Sequence, residues 1–273
     1  VAFLVMDLED RQQTQMANRF LDRYLHHTGD YAGITVLDFY LGYRAMVRAK
    51  VSMLRLAQEQ QAAPDSVVSS EKLAEFDTYL VLAERYTRRE RPQLMITHGL
   101  SASGKSTVSG LVVDHRGSIR LRSDVERKRM FGIPLEGEPD TVTNGSTGFG
   151  TGIYSSEASA RVYQHLYHLA AGILHAGRSV IVDAAFLRYH ERKMFRQLAA
   201  HADAAFSIVD VRASHAELRR RIQQREGDVS DADLGVLEKQ IEVEEVLRED
   251  EQALVLAVET EQEDSQSRLL SRI

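Results

Sequence analysis

Through the second two-thirds of the chain, short apolar-rich runs alternate with stretches whose apolar residues recur every three to four positions. The runs cover 94–98, 118–122, 179–183, 205–211 and 253–258, and they are rich in Val, Ile and Leu. Each is too short for a helix and reads as a strand. Helical spacing covers 105–114, 157–176, 188–202, 214–225 and 234–247. Strands alternating with helices predict an α/β fold whose parallel sheet, one strand for each of the five runs, is covered on both faces. Ligands of such sheets sit at the carboxyl ends of the strands, so the polar residues just past each run carry the information.

Upstream, the pattern is helical. Met16, Phe20 and Tyr24 lie four apart, and Leu37, Leu41, Val47, Val51 and Leu54 form a second stripe. Turn residues at 27–33 separate the two. Residues 58–70, with Ala62-Ala63-Pro64-Asp65-Ser66, read as a linker. Ser70 then caps a third helix whose Leu73, Phe76, Leu80, Ala83 and Tyr86 face one way, stopped by Pro92. The expected organisation is a helical segment at 1–60, a linker and connecting helix at 61–92, and an α/β domain at 93–273. Arg44, Arg48 and Lys50 read as a solvated helix side rather than a binding face.

The first apolar run ends at Gly99-Leu100-Ser101-Ala102-Ser103-Gly104-Lys105-Ser106-Thr107, which has the form G-x-x-x-x-G-K-[ST]. Glycines let backbone N–H groups turn inward around phosphate oxygens, and the helix that follows points its positive end at them. Gly99, Ser101, Ala102, Ser103, Gly104, Lys105, Ser106 and Thr107 are therefore the expected cradle of a nucleoside triphosphate. Lys105 is placed to reach the β- and γ-phosphates of ATP, and the Ser106 hydroxyl to ligate Mg²⁺.

Past the second run comes Ser123-Asp124-Val125-Glu126-Arg127. Asp124 can take the proton of an acceptor hydroxyl, and Arg127, one turn along, can bind an anionic group. The plain alternative is that Asp124 caps its helix; beside a phosphate loop we favour the base. Asp183, closing the apolar run 180–183, fits the acid that holds the magnesium shell. Arg188 and Arg192 follow, each read as surface, with one of them a candidate to face substrate or phosphate. Arg219, Arg220, Arg221 and Arg225 precede the Gly/Asp/Ser stretch 227–233. A basic helix end entering such a loop suits a closing lid, with Arg225 the first choice to swing onto the transferred group and Arg221 the second. Two of the four are accounted for by complementing the helix dipole. The glycine-rich insertion 132–155 begins beside Asp124 and suits acceptor binding. The histidines show no repeated metal spacing and read as packing or surface.

Composition narrows the picture. A net charge of −6 argues against a surface coated in nucleic-acid contacts. Zero cysteines exclude disulfides, thiolate metal sites and cysteine nucleophiles, and fit a reducing, cytoplasmic setting. No apolar run approaches the about 18 residues of a membrane helix. The chain begins with Val1 inside an apolar segment, as a piece of a longer protein would.

Two resemblances add expectations. The segments 2–8, 19–24, 28–31 and 43–50 resemble the last helices of an aminoglycoside-phosphotransferase-like domain, which one bacterial family carries ahead of a P-loop kinase. That implies that the catalytic part of such a domain lies upstream of Val1 and is missing here. The phosphate loop, Ser123-Asp124-x-x-Arg127, Asp183 and the lid around Arg225 and 228–231 together resemble the gluconokinase-, polynucleotide-kinase- and zeta-toxin-like group over roughly residues 93–258. In the polynucleotide kinases an Asp-x-x-Arg pair activates the acceptor hydroxyl and binds substrate phosphate. Those enzymes carry Asp-x-Thr-Asn where this chain has Asp183-Ala184-Ala185-Phe186, which disfavours nucleic acid as acceptor. The expected activity is transfer of the γ-phosphoryl group of ATP to a hydroxyl of a small molecule, with Mg²⁺. A 5′-hydroxyl polynucleotide kinase and a nucleotide-gated regulatory module are the alternatives.

Overall fold

The computed structural model describes residues 1–63, 70–135, 153, 155–224, 234–262 and 264–273. The chain divides into two compact units, Val1–Glu90 and Arg91–Ile273.

The first unit is all-helical: α1 (Ala2–Asp10), α2 (Thr14–Thr28), α3 (Ile34–Ala62) and α4 (Ser70–Arg85). Gly29, at φ 66°, ends α2 in the left-handed conformation that a glycine adopts without strain. The four-residue spacing on α2 is present, but its buried row is Ala17, Leu21 and Leu25, one position on from the row Met16, Phe20, Tyr24. Adjacent rows of an amphipathic helix have similar apolar content, so spacing alone does not choose between them. On α3 the buried row is Ile34, Leu37, Leu41, Ala45, Ala49, Ser52 and Leu56, and Leu54 is exposed. The residues 70–85, expected in a connecting segment, pack as α4 along α3. Arg48 is half-buried and paired: it donates to Asp7 at 2.8 Å, while Arg44 lies over the Phe3 ring at 4.4 Å. Tyr86 donates to Glu9 at 2.6 Å.

The second unit contains β1 (Gln93–His98), α5 (Lys105–Arg116), β2 (Ile119–Arg122), α6 (Ser123–Met130), α7 (Ser156–His175), β3 (Val180–Asp183), α8 (Tyr189–His201), β4 (Ala205–Arg212), α9 (His215–Gln223), α10 (Leu234–Val243), β5 (Val255–Glu259) and α11 (Ser265–Leu270). The five strands pair in parallel in the order β2-β3-β1-β4-β5. Helices flank both faces, because every parallel crossover must carry a helix over the sheet. Met95, Ile181 and Val209 pack with Val108 and Val112 of α5 and with Leu269 of α11. The two-residue period of a strand turns Leu94, Ile96, Val180, Val182 and Ile208 to the opposite face, and all are fully buried. Side-chain caps fix two helix starts: Ser155 accepts from Ala158 N, and Ser214 from Glu217 N.

The order matters for the site. The connection leaving β1 crosses to β2 on the β3 side, and the one leaving β3 crosses to β4 on the other, so the two diverge at the carboxyl ends of β1 and β3 and open a crevice there.

Arg192 is a correction to the sequence reading, which put it at the surface. It is fully buried. Its guanidinium donates to Glu251 at 2.8 and 2.9 Å and to the carbonyls of Phe186 and Leu187 at 3.1 and 3.2 Å. A planar fork of five donors suits that place, where carbonyls and a carboxylate converge.

Candidate active site

The loop after β1 takes its shape from three residues with positive φ: Gly99 (142°), Ala102 (65°) and Gly104 (100°). Gly99 has no substitute, because a Cβ there would stand 2.3 Å from the Val211 carbonyl oxygen. Its N–H donates to Ala185 O at 3.1 Å, which ties the loop to the chain leaving β3. Gly104 opens α5, whose first-turn amides point into the crevice without a capping side chain. Lys105 folds back to donate to Leu100 O at 2.7 Å, across the mouth of the loop.

Arg221, on α9, holds the loop from behind. It donates to the carbonyls of Ala102 and Ser103 at 3.2 and 3.4 Å and to the Thr260 hydroxyl at 2.9 Å. Thr260 in turn donates to Ser103 O at 2.9 Å, and Glu217 holds Arg221 at 2.7 Å. The Ser101 N–H donates to the Gln240 side chain of α10 at 2.7 Å. Arg221 is thus brought to the site as a clamp on loop carbonyls. Arg225 and residues 228–231, the expected lid, lie outside the described residues, as do 136–152 and 154 of the glycine-rich insertion.

Acidic groups come from the neighbouring strand ends. Asp183 closes β3 and accepts from the Ser109 hydroxyl at 3.1 Å. Arg122, the last residue of β2, is the Cα partner of Asp183 in the ladder. Its Nε lies 3.6 Å from Asp183, and its other arm donates to the Ser106 hydroxyl at 3.4 Å. Asp124 is not the helix cap: that position is taken by Arg122, and Asp124 is the second residue of α6. Burial, reinforced by the nearby Asp183 charge, pushes the Asp124 carboxyl above the usual range, against the pull of Arg127, Arg122 and Lys105. Arg127 is buried and donates to Ile153 O at 2.6 Å, which anchors a point of the insertion beside Asp124.

These groups line one cavity of about 530 Å³ that runs from the phosphate loop past Asp124 to Tyr163, Arg188 and Glu191. At that far end the Tyr163 hydroxyl accepts from Phe186 N at 3.0 Å. Burial pushes the Glu191 carboxyl up, although the Arg188 N–H donates to it at 3.4 Å. Sequence reasoning missed Arg122, Ser109, Glu191, Gln240 and Thr260. Arg122 adjoins the Ser-Asp pair and Ser109 lies one helical turn past Ser106, so both had a local signal. Gln240 and Thr260 had none, being 139 and 157 residues from their partners.

Mg²⁺ is tested by the donor set. Ser106 and Asp183 offer a hydroxyl and a carboxylate that one guanidinium can span. Among the described residues no group of three or more His, Cys, Asp or Glu could hold a metal unaided. That fits a hard ion held by one or two protein oxygens together with phosphate oxygens and water. No helix among the described residues is long and apolar enough to cross a membrane.

A family model described as "AAA domain" matches residues 94–247, more than half of the chain, from β1 to just past α10. The chain belongs to the AAA domain family. Uncharacterised proteins of Mycobacterium tuberculosis and Mycobacterium bovis are each 33% identical to this chain over 236 residues, 85% of this chain and 43% of theirs. This AAA domain chain thus spans less than half the length of the curated relatives it matches. Among solved structures it is similar to a sugar kinase from a Janibacter species, at 19% identity over 66% of this chain and 91% of that one, TM-score 0.47. It is also similar to a gluconokinase from Sinorhizobium meliloti, at 20% identity over 67% and 92%, TM-score 0.46.

Proposed function

We propose that the chain is an ATP-dependent phosphotransferase that moves the γ-phosphoryl group to a hydroxyl of a small-molecule acceptor. One observation carries the reading: a single cavity joins the glycine loop, Lys105, Asp183 and a carboxyl of raised pKa at Asp124. Hydrolysis, too, uses a group that orients its water, but a water nucleophile has no need of the polar chamber that continues to Glu191.

On this reading the amides of residues 101–107 and Lys105 hold the triphosphate, and the N-terminus of α5 adds its positive end. Ser106 and Asp183 would hold Mg²⁺, whose bound charge offsets that developing on the phosphoryl oxygens. Asp124 accepts the acceptor's hydroxyl proton as the new P–O bond forms and the bond to the ADP oxygen breaks. Its raised pKa makes it a stronger base than an exposed carboxylate. Arg127 orients the acceptor through the insertion that it anchors. Arg225 is the lid cation, with Arg221 steadying the loop. The first helical unit is read as resembling the end of a phosphotransferase-like domain, and a cytoplasmic setting supplies the ATP.

The test is ADP release over a panel of sugars, aminoglycosides, nucleosides and 5′-hydroxyl oligonucleotides. Turnover should rise with a small hydroxyl compound and stay flat with oligonucleotides. Asp124→Asn should lower transfer by at least about a hundredfold while leaving ATP affinity within about threefold. Loss of nucleotide binding in that variant would mean that Asp124 supports the loop and is not the base. Tight ATP binding with no acceptor response would favour the regulatory module.

A further inference from the structure

Arg122 stands at the point assigned above to the metal. Its guanidinium reaches the Ser106 hydroxyl with one arm and lies within ion-pair distance of the Asp183 carboxylate with another. The backbone fixes this: Arg122 and Asp183 end adjacent parallel strands as ladder partners, so both side chains leave the sheet at one edge. Asp183 is nearly buried and needs a positive partner there. Asp124, two residues past Arg122, also feels that charge. A guanidinium here competes with a divalent ion for the Ser106 oxygen and for Asp183 Oδ2, and the two positive charges repel.

We propose that Arg122 is a built-in stand-in for the metal. It holds Ser106 and Asp183 in place while no Mg²⁺–nucleotide is bound, and yields the position when one arrives. The inference rests on the phosphotransferase reading. It sets how strongly metal and nucleotide cooperate. Metal-free ATP meets a positive charge already in the site, whereas Mg²⁺ must displace one. Removing Arg122 takes a partner from metal-free ATP and a competitor from Mg²⁺, and both changes widen the gap between the two affinities.

The experiment is calorimetric titration of ATP into the chain with excess Mg²⁺ and, separately, with EDTA. The quantity read is the ratio of the two dissociation constants, which a purely structural role would leave alone. In Arg122→Met the ratio should rise about tenfold, the lower end of what an opposite charge at this range imposes on a site equilibrium. Arg122→Lys keeps the charge and should stay within about threefold of the wild type. If Arg122→Met melts too low to titrate, Arg122→Gln replaces it with the same expectation. A ratio unchanged within about twofold overturns the inference and leaves the phosphotransferase reading intact. A wild-type chain that binds no ATP under either condition removes that reading and the inference with it.

Discussion

Replacing Arg192 by Met removes one half of a buried ion pair. The guanidinium is fully buried and its partner Glu251 is 2% exposed, so the variant strands a carboxylate in the interior. Breaking such a pair costs about 3–5 kcal/mol, because the remaining charge has lost its compensation. The carbonyls of Phe186 and Leu187 lose their donor as well. A unit spanning Arg91–Ile273 should respond by about 2–4 °C per kcal/mol, so the melting temperature should fall by about 6–20 °C. The effect carries a pH signature. In the wild type Glu251 is held below the usual carboxylate range: burial pushes it up, and Arg192 with the Arg248 amide outweighs that. That contribution is present above the unfolded pKa and is lost as pH falls through the folded one. Without Arg192, burial wins and the folded pKa lies above the unfolded value, so the penalty eases as the carboxylate protonates. The stability gap between the two proteins should therefore shrink from pH 7 to pH 4.5 in urea titrations. Arg192→Met with Glu251→Met should recover most of the loss, since paired apolar replacements of a buried ion pair are often neutral. A single variant within about 1 kcal/mol of wild type at pH 7, or a gap independent of pH, would refute the argument.

Gly99→Ala places a methyl against the Val211 carbonyl at a φ of 142°, and should destabilise the second unit by about 2–4 kcal/mol. Thermal melting and ATP titration should both register it, with affinity down more than tenfold. Arg221→Met removes the clamp on Ala102 O and Ser103 O; ATP affinity should drop about tenfold with a melting shift under about 5 °C. Asp124→Asn should raise the melting temperature at pH 8 while abolishing transfer. The raised pKa of Asp124 means that its contribution to stability is present below the unfolded value and lost as pH rises through the folded one. The amide escapes that loss, so the gain should vanish at pH 4, and equal melting at both pH values would count against it.

The parts legible in the sequence are those whose physics is local. Five short apolar-rich runs gave the strands, and the glycine–lysine spacing gave the loop, because each needs only its own neighbours. The places of Asp124 and Asp183, one just past a strand and one closing the next, were legible from position alone. Arg192 was misread because a lone arginine on a helix looks solvated until its partner, 59 residues away, is brought beside it. On α2 the period was visible, but the choice between the rows starting at Met16 and Ala17 belongs to the tertiary packing. Gln240 and Thr260 touch the loop only through chain reversals that no motif encodes.

The pairing of Arg122 with Asp183 also bears on how the sheet is assembled. β2 is four residues long and, among the described residues, has β3 as its one neighbour in the sheet, so its alignment rests on few hydrogen bonds. A slip by one position would turn its side chains to the other face and carry the terminal arginine away from the aspartate. The charged ends therefore serve as an alignment mark for the shortest edge of the sheet. A chain that pairs these strands correctly has, by the same act, put its cation and its acid side by side.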